Sequence, residues 1–330
     1  MSFPKASILI PTHNRAALLV EAVESSLAQD YPNLEVIVSD NASTDDTQNI
    51  VKRFEIDKRF TYRRNEKDLG IAGNWRKLLF EYAGGEYVKI LSDDDYLLNR
   101  GHVSEAIGSM INNDLDIVFS AATLRIERAG ISPKYKYLDI GVPSVVDREW
   151  WLKNIGRVKG FMSSFMVFPN LISGSVFKLS KARELNALEP DVFAMDYELA
   201  LRFMLAGRAG YIRGPQYVER EHATNDGSVV SFDPVLPGTK IFERAYLLGI
   251  EQGIPEEKMA GLRRRVQVWY LKTFAIDKWL NAKGCFPVSM FRLYNKLKEI
   301  DPIVAFRTVF SIIMLKKVIK AHIFGRKEKN

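Results

Sequence analysis

Short apolar runs alternate with longer stretches of helical period along most of the chain. Ala6–Ile10 reads as a strand ended by Pro11, and an apolar-periodic helix follows from about Ala16 to Gln29. Leu34–Val38 is a second strand closed by Ser39-Asp40-Asn41. Ser43 or Thr44 then caps a helix to about Phe54, with Asp45 and Asp46 in its first turn. Phe60–Arg63 predicts a third, edge-like strand and Trp75–Tyr82 a helix. Tyr87–Leu91 is an apolar run too short for a helix and reads as a buried central strand. This alternation predicts an α/β fold with a mostly parallel, Rossmann-like sheet, in which ligands gather at the C-terminal strand ends.

Further along, Arg100–Asn112 predicts a helix and Ile117–Ser120 a strand, with Ala121–Ile126 an exposed extension of it. Residues 127–160 lack a periodic pattern and are longer than most loops, which suits a functional insertion. Trp150 and Trp151 in that segment are candidates for a binding wall or for the core. Leu171–Phe177 is strand-like with a small-residue centre that lets backbone approach a ligand. Asp196 opens a strongly apolar helix ending at Gly207, and Tyr211–Arg213 and Gln216–Glu221 are extended. The tail predicts helices over Glu256–Lys283, Pro287 to about Glu299 and Pro302 to about Phe324. The organisation expected is residues 1–225 as one domain, with halves 1–100 and 101–225, and residues 226–330 as a helical C-terminal region.

At 330 residues and 47% hydrophobic content the chain can bury a substantial core. One cysteine, Cys285, excludes an internal disulfide and a multi-cysteine zinc site. The apolar run before Pro11 and His13 is too short for a signal peptide, and no uncharged run reaches the length of a spanning helix, so a cytoplasmic protein is expected. The net charge of +7 is uneven: residues 301–330 hold seven basic side chains against two acidic ones. The last helix carries a broad apolar face ending in Lys316, Lys317 and Lys320. That face predicts either packing, within the chain or in a homo-oligomer, or attachment to an anionic membrane surface, here the inner face of the plasma membrane. No nucleic-acid partner is expected.

The chemistry concentrates in Ser92-Asp93-Asp94-Asp95, just past the central strand. Three adjacent like charges repel unless solvent or a cation compensates them. Mg²⁺ or Mn²⁺, held by one or two carboxylates and open to phosphate oxygens, is one such cation. The glycine fingerprint of dinucleotide folds and the GxxxxGK[ST] loop are both absent, so polar strand ends must hold the ligand. Asp40, Asn65 and Asn74 serve there either as turn and cap residues or as part of one connected site with Pro11 and Asp94. His13 and His222 are each a surface hydrogen-bonding group or a ligand.

IPTHNR, EVIVSDNASTDDT, NxxxxGxxxN and the SDDD after a strand together resemble the nucleotide-sugar half of the family 2 glycosyltransferases, whose fold is called GT-A. The resemblance covers roughly residues 4–225. It implies that Asp40 reads the base and that backbone around Pro11 and Thr12 lines the base pocket. Asn14, Arg15, Asn65 and Asn74 join the donor site, and Asp93 faces ribose or diphosphate. Asp94 holds the metal with His222, and Asp95 is a third candidate ligand. Asp196 is the implied base that deprotonates the acceptor hydroxyl. The chain departs from the family pattern at Ser92 and Met195, where acids are usual.

The expected reaction is transfer of a sugar from a nucleoside diphosphate, with UDP or dTDP favoured over GDP, to a hydroxyl of a glycan or lipid-linked acceptor. Inversion at the anomeric carbon needs one base and no enzyme nucleophile. The family-level setting is assembly of bacterial surface polysaccharide or lipopolysaccharide. Two alternatives stay open: a nucleotidyltransferase, and a nucleotide-sugar-binding protein whose activity is weakened by the missing acids.

Overall fold

A computed structural model describes residues 3–128, 131–139, 141–155, 173–188, 195–222, 241–271, 294–295, 297–299 and 301–309. The strands are β1 (Ala6–Thr12), β2 (Leu34–Asp40), β3 (Phe60–Arg64), β4 (Tyr87–Ile90), β5 (Tyr96–Leu97), β6 (Ile117–Arg128), β7 (Ile131–Leu138), β8 (Val145–Val146), β9 (Ser175–Lys178) and β10 (Ala209–Glu221). Among the described residues they form one sheet in the order β3-β2-β1-β4-β9-β6-β10-β5, with β7 on β6 and β8 on β10. The first four neighbours are parallel, as are β6 and β10. β9 runs antiparallel to both β4 and β6 and joins the two parallel sets, so the sheet is mixed.

The helices of this region are α1 (Ala16–Leu27), α2 (Thr47–Val51), α3 (Gly70–Lys77), α4 (His102–Asn113), α5 (Arg148–Asn154), α6 (Leu179–Glu184) and α7 (Met195–Ala206). Strands β1, β2 and β4 are apolar on both faces because helices cover both. Ile8, Leu9, Ile10, Val36, Val38, Val88 and Ile90 are completely buried. α1 lays Ala16, Leu19, Ala22, Val23 and Ser26 against this layer at helical spacing. Each large aliphatic side chain so buried stabilises the fold by about 1.5–3 kcal/mol.

Several elements differ from the sequence expectation for identifiable reasons. Pro11 lies inside β1, in register with Ser39. β4 pairs β1 only as far as Leu9, so by Pro11 one side of the strand is free and a missing N–H disrupts no ladder there. The segment Ala121–Ile126 is not an exposed extension: it continues β6 between β7 and β10, and Ala121, Ala122 and Leu124 are buried. Ser43 and Thr44 do not cap α2. They bond Asn14 of the preceding loop instead, and the helix begins only at Thr47. α3 starts at Gly70, whose φ of 70° suits glycine, and it continues into a π-helical turn over Leu78–Tyr82. Trp151 is core.

The chain divides into two compact units, Met1–Asn225 and Asp226–Asn330. In the second, Ile241–Glu251 and Glu256–Tyr270 are helices joined by Arg263–Glu243 at 2.8 Å and by an edge-on contact of Phe242 with Tyr270. Arg264 pairs with Asp301 at 3.0 Å, next to the helix Pro302–Val309, which buries Val304 and Val309 and exposes Phe306. Of the helices expected over Glu256–Lys283 and Pro287 to about Glu299, residues 272–283 and 287–293 lie outside the described residues, as do Cys285 and the basic apolar face beyond Val309. Among the described residues no helix is long and apolar enough to cross a membrane.

The entry to β4 depends on a backbone approach that only glycine allows. Gly85 N–H donates to Ser7 Oγ at 2.8 Å, and a Cβ there would sit 2.7 Å from Ser7 N and 2.9 Å from the Ala6 carbonyl carbon. Backbone of a central strand cannot retreat from such contacts. Gly85→Ala is therefore expected to cost about 1–3 kcal/mol in urea denaturation, as overpacked cores do. An unchanged midpoint would show that β1 and β4 tolerate separation here.

Candidate active site

The loops leaving β1, β2 and β4 meet at one edge of the sheet. Asn14, at φ 54°, receives Thr44 N–H at 2.7 Å, while its own N–H donates to Ser43 Oγ at 2.8 Å. Asp45 then accepts the Ala16 N–H at 3.0 Å and so caps α1 from a different loop. This cross-capping fixes where Arg15 projects.

Asp40 ends β2 completely buried. It accepts from Ser43 N–H at 2.8 Å, Tyr62 hydroxyl at 2.6 Å and Arg64 at 2.6 Å. Burial works to raise its carboxyl, but the hydrogen bonds from Ser43, Tyr62 and Arg64 outweigh it and hold Asp40 below the usual carboxylate value. The Asp40 contact drives Tyr62 the other way, with burial the larger cause, to about 12. Asn65 and Asn74 are buried in an amide network: Asn65 Nδ2 donates to Asn74 Oδ1 at 2.9 Å, Ser39 Oγ donates to the same oxygen at 2.6 Å, and Asn74 Nδ2 donates to Ser39 O at 3.0 Å. Asn41 extends the network to Asn65, Asp68 and Leu69 N–H. Their side chains lock α3 to the end of β2.

Past β4, Thr12 Oγ1 donates to Asp93 Oδ2 at 2.7 Å, and Arg15 bridges Asp93 at 3.1 Å and Asp94 at 3.0 Å. Burial raises Asp93 to about 6; Arg15 opposes that and Asp94 adds to it. His222, after β10, places Nε2 at 3.1 Å from Asp94 Oδ2. Asp95 turns the other way: Arg220 N–H donates to it at 3.0 Å, and burial, then the charges of Asp94 and Glu219, hold it well above the usual range. His13 is exposed, its Nδ1 2.8 Å from Asn41 O.

No group of three or more His, Cys, Asp and Glu suited to a metal ion occurs among the described residues. Asp94 and His222 nevertheless converge on one point with mixed oxygen and imidazole donors. Such a pair fits Mn²⁺ or Mg²⁺ that draws its other ligands from water and phosphate.

Asp196 lies in the first turn of α7, raised to about 6 by burial against the opposing pull of the Tyr197 and Asp196 N–H groups. Glu219 on β10 is a carboxylate that no sequence motif singles out. Burial raises it to about 7, helped by the charges of Asp94, Glu221 and Asp196, so its surroundings link the two ends of the site. The available signal was the strand's period of two, which sets Glu219 on the face of buried Tyr217.

Residues 7–160 match the sequence profile of Glycosyl transferase family 2. Over 98 residues the chain is 43% identical to a GalNAc(5)-diNAcBac-PP-undecaprenol beta-1,3-glucosyltransferase of Campylobacter jejuni, a match spanning 29% of this chain and 31% of that protein. Over 193 residues it is 28% identical to the UDP-Glc:alpha-D-GlcNAc-diphosphoundecaprenol beta-1,3-glucosyltransferase WfaP of Escherichia coli, covering 56% of this chain and 74% of the relative. The fold is similar to that of Staphylococcus aureus TarS 1-349 in complex with UDP-GlcNAc, with a TM-score of 0.69 over 97% of this chain and 92% of that one, at 16% identity. At that identity the likeness carries the fold.

Asp40→Asn tests the wall that Asp40 builds with Tyr62 and Arg64. The variant is expected to lose about 1–3 kcal/mol at neutral pH, measured by chemical denaturation. Because the folded Asp40 titrates below its ordinary value, its contribution is complete above about pH 4 and is lost as pH falls through the folded value. The gap between wild type and variant should therefore narrow in acid, and a pH-independent gap would count against the ionised pairing.

Proposed function

We propose, from the match of residues 7–160 to glycosyl transferase family 2, that the chain is a member of that family and transfers a sugar, with inversion, from a nucleoside diphosphate to a hydroxyl of a glycan or lipid-linked acceptor. The observation that supports this most is the division of carboxylates at one sheet edge. Asp94 stands with Arg15 and His222, while Asp196 lies on a separate helix, and the charges of both act on Glu219. Two acids with separate surroundings suit a displacement in which leaving group and nucleophile occupy opposite faces.

In this reading the Asp40, Tyr62 and Arg64 cluster supports the base pocket, next to Thr12 and Asn14. Arg15 and Thr12 hold Asp93 and Asp94 in place for the ribose and diphosphate. Asp94 and His222 would hold a divalent ion, Mn²⁺ or Mg²⁺, which stabilises charge on the departing diphosphate. Asp196 accepts the proton of the attacking hydroxyl. A carboxyl raised to about 6 is still mostly ionised at neutral pH and is a stronger base than an exposed aspartate. UDP is the favoured donor nucleotide, on the UDP-Glc donor in the name of the Escherichia coli relative and the pyrimidine reading of Asp40. The same relatives support a diphosphate-linked lipid acceptor.

Two measurements test this. Asp196→Asn is expected to lower transfer by about 10²–10⁴-fold while UDP binding, followed by calorimetry, stays near wild type. In the wild type, kcat should rise as pH increases through about 6, where Asp196 loses its proton, and level off above. Persistence of that limb in the asparagine variant would remove Asp196 from the role. Asp94→Asn and His222→Ala should abolish the tightening of UDP affinity by Mn²⁺, and a wild type that binds UDP equally with and without metal would remove the ion.

A further inference from the structure

β4 carries one charged side chain in an otherwise apolar run, and that side chain is inside the protein. Lys89, between Val88 and Ile90, is 1% exposed. A buried ammonium is costly unless hydrogen bonds and an opposite charge compensate it. Lys89 Nζ donates to the backbone carbonyl of Ser173 and stands 5.6 Å from the centre of the Tyr217 ring; burial, opposed by the charge of Asp95, pulls its ammonium down to about 7.

Ser173 is the hub of this arrangement. Completely buried at the turn into β9, its hydroxyl accepts Ser92 N–H at 3.1 Å, lies 3.1 Å from Ser92 Oγ and hydrogen-bonds Asp95. Asp95 also accepts the Arg220 N–H of β10. Four pieces of chain, namely β4, the acidic loop, the Ser173 turn and β10, are thus joined directly beneath Asp93 and Asp94.

We propose that Lys89 is a positioning residue of the transfer reaction: by gripping the Ser173 turn inside the sheet, it fixes the hydroxyl that holds the acidic loop at Ser92 and Asp95, and so leaves Asp93 and Asp94 aimed at the donor diphosphate. This rests on the glycosyl-transfer reading. It also explains why three acids stand in succession although only two face the open side. The chain holds them separately: Arg15 pairs with Asp93 and Asp94, while the Ser173 hydroxyl and the Arg220 N–H hold Asp95.

A double-mutant cycle tests the proposal on the full chain. Lys89→Met removes the grip on the Ser173 carbonyl, and is expected to lower kcat by about 10–100-fold, the usual range for residues that orient a ligand set. Donor KM should move less, and the Mn²⁺-dependent gain in UDP affinity, measured by calorimetry, should shrink. Lys89→Met combined with Ser173→Ala acts on one link and should lower kcat no further than the more damaging single variant. Wild-type kcat in folded Lys89→Met, or a double variant whose loss is the product of the single losses, overturns the proposal. If Lys89→Met does not fold, Ser173→Ala carries the test, because it keeps the carbonyl that Lys89 grips and removes only the hydroxyl links. A drop in kcat with donor KM nearly unchanged supports the anchor, and wild-type kcat overturns it. A wild-type chain that neither transfers sugar nor binds UDP overturns the glycosyl-transfer reading and this one together, whereas an active wild type with unaffected variants overturns only the anchor.

Discussion

Three carboxylates in succession at the end of a buried strand coexist only where charge and hydrogen-bond donors reach them from elsewhere in the fold. Here Thr12 and Arg15 arrive from the end of β1, the Ser173 hydroxyl from the turn into β9, and a backbone N–H from Arg220 on β10. These donors come from well-separated stretches of sequence, and each requires its strand to be in register. The sheet order, with β4 between β1 and β9, is what brings them together. The acidic run and the mixed sheet are therefore one structural problem with one solution.

The same edge is stiffened by polar side chains where other nucleotide-binding folds use a glycine-rich loop. Asn14 bonds the loop after β2, Asp45 caps the helix after β1, and the Ser39, Asn41, Asn65 and Asn74 network fastens α3. Each amide is satisfied, so the network is rigid and holds the loops in one arrangement before any ligand arrives. Asp40 belongs to that framework, with Tyr62 and Arg64 completing it. The surroundings of Asp196 are built differently. Asp196 draws on N–H groups at the start of its own helix, and burial dominates its titration as it does that of Glu219.

Much of the fold was legible because its signals are local. The strands at Ala6, Leu34, Phe60 and Tyr87 and the helices at Ala16 and Arg100 follow from period and length, and the polar residues after each strand marked the edge where a ligand would sit. Element ends were less legible. Pro11 ended a strand on propensity, yet sits within β1 because its neighbour β4 stops at Leu9. Ser43 and Thr44 had the chemistry of helix caps but were captured by Asn14 from another loop. Ala121–Ile126 read as exposed because nothing local announces that β7 and β10 will flank it.

The sequence by itself determined the α/β alternation, the placing of Asp93, Asp94 and Asp95 past a central strand, and the resemblance that singles out Asp40, Asp196 and His222, since these depend on residue type and spacing along the chain. Only the tertiary structure decided which way each of those side chains turns. It set Asp94 against His222 and Arg15, turned Asp95 inward toward Ser173 and the Arg220 N–H, enclosed Asp40 between Tyr62 and Arg64, and brought Glu219 into the field of both Asp94 and Asp196. The physical reason is that a carboxylate's role follows from its burial and from the donors around it, and those donors come from segments whose proximity only sheet order and register create.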